Sequence, residues 1–157
     1  MFNLATAFNQ PLNSWNVSKL SSFSNMFSGA ENFNQDLNSW DVSNALYTNC
    51  MFNNAYAFNG DISSWDVRNV IDMHQMFYCA KVFDQDISGW NTENVKNMND
   101  MFNGAAAFNQ KIGKWKTGKV TTMVSMFLKA SSFNQPNDEW VVTNVTDMSH
   151  MFDRATA

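Results

Sequence analysis

"MFNGAAAFNQ" occupies Met101–Gln110, and the same frame stands at 26–35 as "MFSGAENFNQ" and at 1–10 as "MFNLATAFNQ". Outward from these stretches, the pair Met-Phe recurs at 1, 26, 51, 76, 101, 126 and 151, a step of 25 residues without slippage. Ala follows four residues after each Met, from Ala5 to Ala155. Phe33, Phe58, Phe83, Phe108 and Phe133 continue the column begun by Phe8, and Trp15, Trp40, Trp65, Trp90, Trp115 and Trp140 form another. A 25-residue unit cannot bury its own apolar face, but stacked units cover one another. The expectation is therefore that each side chain lies over its namesake in the next unit, with the Trp and Phe columns as structural ladders.

Composition narrows the classes of function. The chain has 157 residues and a net charge of −4, so no overall basic field attracts nucleic acid. Charged residues make up only 15%, and abundant asparagine supplies much of the polarity. The two cysteines, Cys50 and Cys79, are too few for a disulfide framework. They differ by four in phase and do not share a column. No apolar run approaches the roughly 20 residues of a membrane-spanning helix. The sequons at Asn16 and Asn144 mark exposed turns if the chain meets a glycosylation machinery.

Two periods alternate within a unit. Val70, Met73, Phe77, Ala80 and Phe83 are spaced by three, four, three and three, the face of a short helix. Asn44, Asn69, Asn94 and Asn144 precede such segments as N-caps, and Gly29 and Gly104 fall where they would end. The stretch "FNQDISSWDVRN" reads as extended chain with turns, burying Ile62, Trp65 and Val67. Strands of successive coils would then pair in parallel, about 4.8 Å apart. Asn9, Asn34, Asn59, Asn109 and Asn134, with Asp84 in the same column, are expected to bond backbone groups where the chain turns.

The segment "FNQDISGWNTENVKNMNDMFNGA" resembles the bacterial surface-protein repeat of domain-of-unknown-function family 285, found in mycoplasma lipoproteins and in BspA-like, leucine-rich-repeat-like surface proteins. The resemblance spans all six units. It implies a leucine-rich-repeat-like solenoid, extracellular or cell-surface placement, and adhesion or protein interaction without enzymatic activity. The last unit departs from it, reading "NQPNDEWVV".

The expected fold is thus an α/β, leucine-rich-repeat-like, right-handed solenoid with a short parallel strand and a short helix per coil. A mainly-β solenoid is the alternative. The coils fall at 1–25, 26–50, 51–75, 76–100, 101–125 and 126–150, with 151–157 partial. The only prolines, Pro11 and Pro136, share a phase in the first and sixth units and would blunt two edges; a segment of a longer or stacking array is the rival expectation.

Charge is uneven along the array. Unit 26–50 carries Glu31, Asp36 and Asp41 and no cation, whereas unit 101–125 carries Lys111, Lys114, Lys116 and Lys119 and no acid. Asp36, Asp61 and Asp86 share a column that Lys111 continues. Asp41 and Asp66 share another, continued by Lys116. These residues form the expected interaction face, and the column Asp36, Asp61, Asp86 is a weak candidate for a cation. The lysines of "KIGKWKTGKV" surround a ladder tryptophan in an acidic chain, so nucleic acid is not an expected partner. His74 and His150 differ in phase, have no arrangement of Ser, Cys or Asp that recurs around both, and read as surface residues. No cofactor and no catalytic centre are expected. The expected function is non-enzymatic binding of a protein or glycan at a cell surface. The alternative is a structural protomer that stacks on itself into a fibre or coat.

Overall fold

Repeating apolar columns bury themselves only if successive units superimpose, and they do. The computed structural model describes residues 1–157. Phe2, Phe27, Phe52, Phe77, Phe102, Phe127 and Phe152 form one continuous column of nearly parallel rings, 5.4–5.7 Å between centroids. Phe8, Phe33, Phe58, Phe83, Phe108 and Phe133 form a second, spaced by 5.9–6.0 Å. The two columns lie side by side, 3.8–4.1 Å apart within each unit. Together with Leu/Ile, Val, Met and Ala columns they make one core running the length of the stack.

The secondary structure differs from the expectation. There is no helix, and no strand beyond isolated parallel bridges linking Ser22, Tyr47, Asp72, Asn97, Thr122 and Asp147 in turn. None of the 71 backbone hydrogen bonds lies inside a helix or strand. The α/β solenoid with a strand and a helix per coil is therefore wrong, the mainly-β alternative is not formed either, and the chain is mostly turns and irregular backbone. The leucine-rich-repeat-like layering of a strand face against a helix face is absent. The expected right-handedness loses its basis as well, because that bias belongs to strand–helix–strand crossovers, which this chain does not form.

The physical reason is visible in residues 73–83. Met76, Tyr78, Ala80 and Phe83 donate their N–H groups to carbonyls three residues back. The alternate residues Met73, Gln75, Phe77 and Cys79 donate instead to Asn97, Asn99, Met101 and Asn103 of the next unit, at 2.7–3.0 Å. A helix would consume all these donors internally and leave nothing to join one coil to the next. A chain of three-residue turns keeps the three-and-four spacing of a helix, so Val70, Met73, Phe77, Ala80 and Phe83 are all buried as a helix would bury them. Gln75 and Cys79 have φ of 54° and 55°, and the same two positions of every unit repeat this left-handed conformation, which no α-helix contains.

The extended arc also avoids strand pairing. Its columns repeat at close to 6 Å, wider than the roughly 4.8 Å between paired strands. Side chains span the difference. Asn9, Asn34, Asn59, Asp84 and Asn109 each accept, at Oδ1, the N–H of the residue 25 further on, at 2.8–2.9 Å. Asn44, Asn69, Asn94 and Asn144 are not N-caps: each donates Nδ2 to a carbonyl 26 residues back, at 2.7–2.8 Å.

Candidate functional site

All eight residues of the expected interaction face lie on the extended arc of their units, but they are used differently. Asp36 accepts the N–H of Asp61 at 2.9 Å. Asp41, Asp61, Asp66 and Asp86 each accept the N–H two residues ahead, which closes a tight turn. The Ser43 and Ser88 hydroxyl and backbone groups hold Asp41 and Asp86 below the usual carboxylate range. Asp61 also takes Asn38 Nδ2 at 2.8 Å, and Asp66 pairs with Arg68 at 2.8 Å. These carboxylates therefore serve the turns. Asp36, Asp61 and Asp86 are not gathered into a cation cage.

The lysines are freer. Lys116 reaches Glu93 at 3.2 Å, and Lys119 donates to Asn94 Oδ1 at 2.6 Å. Neither Lys111 nor Lys114 belongs to any of the four ion pairs. Both line an open groove of about 460 Å³ whose other wall carries Asp138 and Glu139, with Ser88, Gln135 and Pro136 completing it. The wall comes from "NQPNDEW", the break in the repeat. The sequence marked those residues as irregular but not as facing Lys111 and Lys114.

Apart from Trp15, the ladder residues lie inside. Trp65, Trp90 and Trp115 stack with parallel rings 6.2–6.3 Å apart. Trp40 and Trp140 lean on Phe27 and Phe127, while Trp15 beside Phe2 is 43% exposed. From Trp40 onward each Nε1 donates to the carbonyl 28 residues back, at 2.9–3.3 Å. Such a buried donor needs a partner. The aromatic columns are thus packing and not a binding strip.

One juxtaposition was missed. Residues of the turn segment hydrogen-bond at an offset of 24, not 25, so Cys50 N–H meets His74 O at 2.9 Å. This carries the Cys50 thiol to 3.7 Å from His74 Nε2, while His74 Nδ1 lies 2.9 Å from Asp72 Oδ1. Cys50 and His74 belong to different columns, so the alignment of namesakes does not bring them together. The signal was an offset of one residue between donor and acceptor columns. Both cysteines are free thiols, and Cys79 has no such neighbours.

The whole chain matches one family model in two overlapping segments, residues 1–90 and 60–157, described as a mycoplasma protein of unknown function, DUF285. The chain belongs to the DUF285 family. No curated protein matches it, and no solved structure does. The two matched segments together cover the full length of the repeat array. No helix of this DUF285 chain is long and apolar enough to cross a membrane.

Proposed function

We propose that this DUF285 chain is a non-enzymatic recognition module that binds a protein or glycan partner at a cell surface. The observation carrying this reading is the groove in which the unpaired Lys111 and Lys114 face Asp138 and Glu139. Elsewhere on this arc the charged side chains other than Lys19 are engaged in turns or pairs, so the groove is where charge of both signs is left for a ligand. Both signs across one cleft favour a partner with alternating acidic and basic or hydroxyl groups, held by several modest polar contacts. The test is binding of the purified chain to glycan and protein arrays, followed by Lys111→Glu with Lys114→Glu. Expected are a specific hit, loss of at least about tenfold in affinity in the double variant, and weakening with salt. Retention of full affinity by the double variant overturns the groove as the site.

A second reading rests on a separate observation. Trp140, Val142, Met148, Met151 and Phe152 line an open apolar cup of about 370 Å³ on the last unit. Asn137, which also lines the cup and replaces the Leu or Ile of its column, has a buried Oδ1 without a hydrogen-bond partner. A further coil, from a second copy stacked end to end or from a continuation of the same array, would cover the cup and offer donors to that oxygen. Light scattering over a concentration series tests this: growth of assemblies that Phe152→Asp abolishes supports it, and a monomer at all concentrations removes it.

A further inference from the structure

The 24-residue offset pairs Asn25 with Asn49, Gln75 with Asn99, Asp100 with Val124 and Ser125 with Ser149. Only at Cys50 and His74 does it set a nucleophile beside an imidazole. The carboxylate of Asp72 can only accept, and it lies 2.9 and 3.1 Å from His74 Nδ1. Nδ1 therefore carries the proton, and the thiol lies between two acceptors, the Nε2 lone pair of His74 at 3.7 Å and Gln75 Oε1 at 3.6 Å. His74 and Asp72 side chains are 33% and 25% exposed and Cys50 is half-buried, so none of the three residues is sealed from solvent.

We propose that Cys50 is a thiol-modification site that forms mixed disulfides with low-molecular-weight disulfides, with His74 as proton acceptor and Asp72 as the residue that positions His74. The Cys50 S–H proton passes to His74 Nε2 as the sulfur attacks one sulfur of the incoming disulfide. The Cys50 S–S bond forms while the incoming S–S bond breaks. The departing thiolate takes the proton back from His74 Nε2 and leaves as a thiol, so imidazole and carboxylate end unchanged. The incoming disulfide is the only oxidant needed.

The surroundings make the proposal discriminating. Burial, and secondarily the charge of Asp72, push the Cys50 thiol up while Asn49 opposes them, so at rest it keeps its proton and depends on a base to react. Tyr47 and Asn97 flank Asp72 in the bridge ladder, and Asp100, further along the column of Cys50, is bonded to Asn103 Nδ2 at 2.7 Å. Burial also raises Cys79, but there Lys81 and Lys129 pull in the opposite direction. The neighbouring charges, Asp72 at Cys50 and Lys81 and Lys129 at Cys79, favour the Cys79 thiolate; a working base at Cys50 predicts the reverse order of reaction. This site is independent of the lysine-walled groove.

The experiment measures thione release from 2,2′-dithiodipyridine by single-thiol chains. Cys79→Asn leaves Cys50, and Cys50→Asn leaves Cys79; Asn54 and Asn25 already occupy those two left-handed columns. Cys50 should react at least about tenfold faster than Cys79 at neutral pH, within the reach of a positioned base. His74→Asn, which copies Asn49 and Asn99 in its column, should remove that advantage. Asp72→Asn, which copies Asn97, should move the midpoint of the Cys50 pH–rate profile and leave that of Cys79 in place. Equal rates, a faster Cys79, or a Cys50 rate indifferent to His74→Asn would overturn the proposal.

Discussion

At the scale of the residue, the stack is held by side chains that each complete the backbone of a neighbour. Asp84 Oδ1 accepts Asn109 N–H and Gln110 Nε2, both at 2.8 Å. Asp84→Asn keeps an acceptor at that point and should change stability by less than about 1 kcal/mol. Asp84→Ala leaves a half-buried N–H unpaired and should cost about 1–3 kcal/mol in urea unfolding. Trp65 is 4% exposed, stacks on Trp90 and donates to Leu37 O at 2.9 Å. Trp65→Ala should cost about 3–5 kcal/mol. Trp15→Ala, at an exposed end of the same column, should cost well under half of that. Equal losses at the two positions would mean that burial along the stack does not govern the column.

At the scale of the element, the unit of structure is the left-handed turn and not a helix or strand. Gly29 and Gly104 sit at φ of 69° and 71°, and a Cβ on Gly104 would come within 2.9 Å of Cys79 Sγ. Gly104→Ala should destabilise by about 1–2 kcal/mol, the cost of the left-handed conformation for a residue with a Cβ. Lys129 holds the same position with φ of 60° and an exposed side chain. Lys129→Gly should therefore stabilise by up to about 1 kcal/mol, since the strain relieved exceeds the flexibility gained by the unfolded chain. A fall in the thermal midpoint of Lys129→Gly would show that its stem packs usefully.

At the scale of the whole molecule, stability is a sum of units and the interfaces between them. Removal of Met76–Asp100, one full period, should leave a cooperative melt at a lower temperature, because Met101 then follows Gln75 as Met76 did. Removal of one residue fewer puts every later column out of register and should abolish the melt. Acid should also weaken the stack. Ser43, Ser88, Ser149 and Lys116 hold Asp41, Asp86, Asp147 and Glu93 below their ordinary values. These carboxylates bind protons less readily when folded, so their contribution is complete above the unfolded values and is lost as pH falls through the folded ones. The urea midpoint should be level down to about pH 5 and decline below about pH 4.

The sequence by itself determined the period, the columns and the inward residues, because a shift of 25 residues returns the same surface and only the next unit can cover it. The buried positions of residues 70–83 were legible for the same reason, since a helix and a chain of turns share the spacing of three and four. Only the tertiary structure decided between them. The N–H groups of alternate residues such as Gln75 and Phe77 go to the next coil, and a bond from one coil to another leaves no local trace in propensity. The closing of the lysine-walled groove by Asp138 and Glu139, and the meeting of Cys50 with His74, were decided in the same way. Both depend on the one-residue difference between the repeat of the sequence and the offset of the hydrogen bonds, or on where a break in the repeat folds back, and neither is written in any single unit.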